Sequence, residues 1–510
     1  MSTLQSGGSV RPSPAASQPS GQAPGSNAGP QTVGATLHSS PALKQAIGGV
    51  VEQVRQASAT ITDVRPPIDE LRDPYQAMLD AAKDTKGRPL LYPYLGSGVG
   101  NGALVELADG SVKWDMICGI GVHFFGHSDP DMVETAVRAG LEDTVQHGHL
   151  QSGNAQYRFA QTLLTEARKN SRLNVAFAST SGAMANENGI KACYQKHAPA
   201  SRVLAFRDCF MGRSVTMCQI GDAAAYRQGV PLSTLVDYMP FYDEVAAQRM
   251  GQTRYIDMCA SHLDQYITRY PNQHACFIFE LIQGEGGFNT APRDFFRVLM
   301  ERCKAAKIAV WDDEIQTFGR TERMFAYETL DLGQYVDVLC VGKMTQACVT
   351  LFTDEYNPKP GLLSGTFASP TVCFDVGTRV VERLRDGQYY SKAGQPGLIA
   401  KHHAAFREQV KALAAKHPAW FPKVPEAMLT AGAADIAGGH GGMMRFTPFG
   451  GAKDKVTKAC QTCFEEGVVL FYCGHDPYHL RMLPPLGVMR IEDWPRVFAC
   501  VEKGLARAAG

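Results

Sequence analysis

The chain has no surplus of charge of either sign: 50 Lys and Arg balance 50 Asp and Glu over 510 residues. No block of like charges is present that could track a phosphate backbone or an anionic membrane surface, so neither nucleic acid nor membrane is an expected partner. Apolar runs of spanning length are missing, as is a charged-then-apolar start, and the expected location is the cytoplasm. The 14 cysteines lack the spacing of a disulfide framework. Cys460 and Cys463 have redox-motif spacing, but no second pair completes a zinc site, and the helical period of KACQTCFEEG makes them two thiols packed on one face. No metal is expected.

What is present is length and alternation. A chain of 510 residues buries a core large enough to need no covalent staple. Residues 1 to about 40 are rich in Ser, Gly, Pro and Ala, with Arg11 the single charge, and read as a disordered tail. A short helix is expected in PALKQAIGGVVEQVRQA, so residues 1–62 form a tail plus helix. Residues 63–120 read as a segment joining a smaller domain, 121–370 as a large domain, and 371–510 as the C-terminal smaller domain.

The stretch GSGVGNG at Gly96 to Gly102 invites a dinucleotide-binding reading, but no strand precedes it and no helix follows. It reads as loop before a hairpin turning at Asp109-Gly110. From about residue 120, apolar runs of strand length alternate with helical patterns, the mark of an α/β fold with a mostly parallel sheet. NVAFAS, RVLAFR, ACFIFELI, IAVWD and VDVLCVG each empty into a polar or Gly-rich segment. Ligands bind at that carboxyl edge in such sheets, so the following loops should converge on one site. The later strand-like pieces GGMMRFTP and GVVLFYC belong to a smaller α+β unit.

Two chain ends stand out chemically. Asp312, Asp313 and Glu314 leave an apolar strand together, which is costly unless something basic meets them; a solvated loop start is the plain alternative. Lys343 ends another apolar strand, where a surface lysine is the common case and a desolvated nucleophile the other.

With their surroundings these residues resemble the class III (ω-) aminotransferases of the pyridoxal-phosphate fold-type-I superfamily, from about Tyr92 to the C-terminus. The family's acid-Glu-Val-Gln-Thr run and its Schiff-base lysine about thirty residues later are matched by Asp313-Glu314-Ile315-Gln316-Thr317 and Lys343. The resemblance implies a large sheet domain of the seven-stranded type with a smaller α+β domain, and pyridoxal 5'-phosphate as cofactor. Asp313 would hold the proton on the ring nitrogen, Ile315 and Phe210 would pack on the two ring faces, and Gln316 would reach the phenolic oxygen. Ser181, Gly182 and Ala183 resemble the phosphate loop at a helix N-terminus, with Ala183 lacking a hydroxyl found in many members. Thr366 matches a threonine that reaches the phosphate of the neighbouring subunit, which implies a homodimer with sites at the interface.

For substrates, Arg213 resembles the arginine that clamps the far carboxylate of an amino donor, with Met211 replacing the usual His; a structural salt bridge is the alternative. Arg481 stands where the family binds the α-carboxylate of a 2-oxo acid, and Glu285 matches its partner glutamate. Glu280 has no settled role. The segment Gln316-Thr317-Phe318-Gly319-Arg320 is one residue shorter than in many members. His123 and His127 have the spacing of one helix face but resemble the family's Gly-His-x-x-Pro, a structural reading. The resemblance implies transamination from lysine, ornithine, 4-aminobutyrate or a similar ω-amine to 2-oxoglutarate. Racemases, mutases and decarboxylases sharing the lysine are the first alternative, and a non-catalytic cofactor-binding protein the second. The donor itself depends on a pocket around Phe124, Phe125 and Met211.

Overall fold

Seven apolar runs assemble into one sheet: β1 (Val175–Ser179), β2 (Arg202–Phe206), β3 (Leu235–Met239), β4 (His274–Phe279), β5 (Ala309–Glu314), β6 (Val338–Val341) and β7 (Cys348–Phe352). The computed structural model describes residues 31–392, 394–424 and 436–510. The spatial order is β1-β7-β6-β5-β4-β2-β3. Every pairing is parallel except those of β7, which runs antiparallel to β6 and to β1. The four strands β4 to β7 are buried at every position, which explains their near-continuous apolar sequence. Five of the seven match the expected runs; β3 and β7 are additional. LVDYM is short and half-exposed, and CVTLF follows the lysine with no turn signal between.

Helix Gly182–His197 crosses the sheet so closely that a Cβ on Gly189 would lie 2.5 Å from the Trp311 ring. A mid-helix glycine costs about 1 kcal/mol of propensity; here it admits the largest buried side chain of β5. The register Cys340↔Asp313 between β6 and β5 then places Lys343, just past the end of β6, beside the end of β5.

Besides a two-stranded pairing of Gln146–His147 with Ser369–Pro370, two four-stranded sheets accompany this one. Gly96–Asn101, Leu104–Leu107 and Val112–Asp115 form an antiparallel meander, to which Val468–Val469 adds in parallel. The glycines expected as loop are therefore an edge strand: a Cβ on Gly100 would come within 2.5 Å of the Leu104 carbonyl, so glycine lets the backbones close. The other sheet runs Ala437–His440, Met443–Phe446, His479–Met482, Phe471–Cys473. The run GVVLFYC, expected as one strand, is split between the two sheets. Cys460 and Cys463 lie buried on helix Lys453–Glu465, in the packing role expected of them.

The tail expectation for residues 1–30 lies outside the described residues. Beyond them, Val33–Ser39 is helical, capped by the Thr32 hydroxyl accepting from Ala35 N at 3.2 Å, which corrects the expectation of disorder to about residue 40. Threonine at the N-cap satisfies an end amide that the composition alone left unmet. Pro41–Ser58 is the expected second helix. No described helix is long and apolar enough to cross a membrane.

Alternation along β5 sends Asp313 to one face and Asp312 with Glu314 to the other. Glu314 accepts from Ala326 N at 2.8 Å and Tyr327 N at 3.0 Å, while neither oxygen of buried Asp312 accepts a bond from the described residues. Burial, then Glu314, pushes the Asp312 carboxyl well up; burial pushes Glu314 to about 8. Acids raised in the fold cost nothing below the unfolded value near 4 and lose stability as pH climbs through the folded value. Asp312→Asn is therefore expected to gain about 1–3 kcal/mol at alkaline pH and little near pH 5. Thermal melts across that range check this; an equal shift at both pH values would contradict it.

Candidate active site

The carboxyl ends of β1, β2, β4, β5 and β6 deliver their loops to one place. At its centre the Asp313 carboxylate is enclosed: Oδ2 accepts from Asn186 Nδ2 at 2.7 Å and Oδ1 from the Ile315 amide at 3.0 Å. Asn186 sits one turn into helix Gly182–His197, and its amide also donates to the Met211 carbonyl at 2.8 Å. Burial pushes Asp313 up to about 6, against the pull of those two bonds and of Lys343. Lys343 occupies a left-handed backbone position (φ 50°), uncommon for a side chain of its size. Burial lowers its ammonium, countered by Glu285 and Asp313. A lysine held down in this way is closer to the free amine that a nucleophile requires.

Ile315 packs between two glycines. A Cβ on Gly182 would lie 2.9 Å from its Cγ2, and one on Gly342 the same distance from its Cδ1. Ser181 caps the helix, its hydroxyl accepting from Met184 N at 3.2 Å. Ala183 meets Gly212 so closely that a Cβ there would stand 2.8 Å from its methyl. Methyl and glycine together bring the Phe210–Gly212 segment onto the helix N-terminus.

Glu280 joins two of these loops. Its Oε2 accepts from Phe210 N at 3.0 Å and its Oε1 from Gly284 N at 2.8 Å. Burial and then Asp313 raise it to about 8. Arg481, wholly buried on His479–Met482, donates to both oxygens of Glu285 at 2.8 and 3.0 Å. Burial alone would raise Glu285, but Arg481 outweighs it and holds the carboxyl below its usual value. Arg213 is exposed, and among the described residues no carboxylate pairs with it. Its guanidinium lies 4.4 Å over the Tyr226 ring and 5.9 Å from that of Phe210. The salt-bridge alternative finds no support there.

The structure thus gathers Lys343, Asp313, Ser181, Gly182, Ala183, Phe210, Ile315, Gln316, Arg213, Glu285 and Arg481. Thr366 is not among them: it is exposed, with its carbonyl against Gly148, and no hydrogen bond ties it to this cluster. His123 and His127 are in a loop and not on a helix; His127 Nε2 bonds Asp115 Oδ2 at 2.9 Å, and no metal-holding group occurs among the described residues. Asp115 also accepts from the amides of Ile117 and Cys118 at 3.1 and 2.7 Å, bracing a turn in which Cys118 to Gly121 are all left-handed. Asn186 and Tyr226 were not anticipated. Only the Asn-Glu of the helix could have signalled the first, and nothing in AAYRQG signals the second.

Buried atoms here lack partners in a way that matches a polar aromatic ligand: Asn186 Oδ1, Gln316 Oε1 and Thr317 Oγ1. An enclosed carboxylate for a ring cation, apolar groups for ring faces, a helix N-terminus for phosphate and a lysine of lowered basicity fit pyridoxal phosphate.

The model of the family "Aminotransferase class-III" matches residues 95–494. The chain is 26% identical over 397 residues to a diaminobutyrate–2-oxoglutarate transaminase of Wolinella succinogenes, covering 76% of this chain and 86% of that one. It is 30% identical over 319 residues to an acetylornithine aminotransferase of Brucella melitensis, covering 60% and 73%. In fold it resembles a lysine aminotransferase from M. tuberculosis, with TM-score 0.69 and 21% identity over 84% of this chain and 99% of that one. An ornithine aminotransferase from Toxoplasma gondii superimposes with TM-score 0.68 and 18% identity, covering 85% and 96%. With its family matched over most of its length and its donor set fitted to the cofactor, the chain belongs to the class III aminotransferases and is a pyridoxal-phosphate-dependent transaminase.

Proposed function

We propose that this transaminase moves the terminal amino group of a carboxylate-bearing amine, such as lysine, ornithine or 4-aminobutyrate, to 2-oxoglutarate. The observation that carries this reading is the unlike state of its two arginines. Arg481 is buried and already paired with Glu285, whereas Arg213 is exposed and faces only aromatic rings. A donor with a distant carboxylate gives Arg213 its missing anion in bidentate geometry while the Glu285–Arg481 pair stays closed. A 2-oxo acid supplies a carboxylate to Arg481 once Glu285 turns away, so one site serves two substrates. An isomerase or decarboxylase has no use for that second carboxylate.

Pyridoxal phosphate, when bound, supplies the electrophilic carbon and the electron-accepting ring. Asp313 keeps the ring nitrogen protonated, aided by Asn186, which orients its carboxylate. Lys343 would hold the cofactor's carbonyl carbon and, as a free amine of lowered basicity, would move the proton of the substrate carbon. Ser181, Gly182 and Ala183 would receive the phosphate, Ile315 and Phe210 would flank the ring, and Gln316 would meet its phenolic oxygen. Thr366 serves a second copy of the chain. It is exposed next to Phe367, 60% exposed, on a loop tied by the His149 amide to the segment carrying Leu150, 97% exposed. Such apolar exposure supports a homodimer. Fourteen free cysteines, nearly all buried, support a reducing compartment such as the cytoplasm.

Purified protein given these donors with 2-oxoglutarate should form glutamate, and Lys343→Ala should reduce the rate by at least about a thousandfold; no glutamate with any ω-amino acid would sink the assignment. Removing one partner of a buried pair strands the other charge. Arg481→Met should therefore weaken the apparent affinity for 2-oxoglutarate and cost about 3–5 kcal/mol of stability, of which Glu285→Leu in the same chain restores a large part. Chemical denaturation of the single and double variants measures this, and equal stability of wild type and Arg481→Met would refute it.

A further inference from the structure

Tyr226 belongs to a short helix, Ala224–Arg227, that precedes β3 and carries no motif. Its ring nevertheless touches two side chains of the Phe210–Arg213 segment. The Phe210 ring pairs with it in a T shape, centroids 5.4 Å apart and planes at 81°, and the Arg213 guanidinium lies over it at 4.4 Å. Burial raises its phenol, and Glu285 raises it further, while Arg213 and Arg481 oppose this. Tyr226 is thus within electrostatic reach of both arginines and of the carboxylate between substrates.

Arg213 needs such a neighbour. It is long, exposed and without a carboxylate partner, and a free arginine side chain carries about 2 kcal/mol of rotamer entropy. Carboxylate binding would have to repay the ordering of that chain. Cation–π attraction at this distance offsets part of that cost in advance, because the ring restrains the guanidinium before a carboxylate arrives.

We infer that Tyr226 is a positioning residue that holds Arg213 by its face and presents the fork to the distal carboxylate of the donor, setting the preference for carboxylate-bearing amines. This rests on Arg213 being the donor-carboxylate group. The ring acts, not the hydroxyl. Because Phe210 leans on the same ring, the positions of the cofactor-stacking side chain and of the carboxylate clamp are coupled.

The test is a set of steady-state measurements on the holoenzyme, with 4-aminobutyrate as donor and 2-oxoglutarate as acceptor. Tyr226→Met, and Tyr226→Leu as a second form without a ring, should raise the donor KM about tenfold. The change in kcat should be smaller, and the acceptor KM, set by Arg481, should move far less. Tyr226→Phe should restore the donor KM to within about twofold of wild type. In an Arg213→Ala background the loss of the ring should add nothing further. A Tyr226→Phe defect as large as that of Tyr226→Met, or a ring effect of the same size without Arg213, overturns the inference while leaving the donor assignment standing. An Arg213→Ala enzyme with an unchanged donor KM overturns the donor assignment itself.

Discussion

A fully enclosed carboxylate at the end of a central parallel strand is the constraint around which this molecule is arranged. Asp313 cannot be left in an apolar sheet without compensation, since an unpaired buried charge costs several kcal/mol. Its compensation comes from Asn186 on the helix that follows β1, from the Ile315 amide and from the lysine past β6. Meeting those requirements brings the connections that follow β1, β5 and β6 to one edge. Glycines at 182, 189 and 342 are the steric counterpart, removing side chains where helix, strand and lysine turn must close on Ile315 and Trp311.

Around that carboxylate the charges are graded by their partners. Glu285 is held below its usual value by the buried Arg481, whereas Glu280, nearer to Asp313 and given only two backbone amides, is pushed to about 8. Similar acids five residues apart thereby take different parts. One is the counter-charge of a buried arginine. The other is a fixed brace between the Phe210 segment and the loop that carries Glu285.

Much of this is legible in the residues alone. Five strands are visible because each is an apolar run of strand length that empties into a polar segment, near-continuous where both faces are buried. β3 and β7 are not, one being half-exposed and the other continuing the lysine segment without punctuation. The glycine-rich stretch at 96–102 reads as loop because glycine disfavours strands, yet close approach to Leu104 and His127 is what calls for it. Helical order at Val33–Ser39 turns on a single cap at Thr32, which composition does not weigh.

The sequence by itself determined the kind of chemistry, because the interval from Asp313 to Lys343 and the identity of the groups beside them are covalent facts. What it could not decide is which groups meet across separate elements. That Arg213 faces Tyr226 and no carboxylate, that Glu280 bridges two loops, and that Thr366 stands apart from its own chain's site all follow from how loops on five strands pack at one edge. Such contacts join residues tens to hundreds of positions apart, and only the packed core fixes their distances.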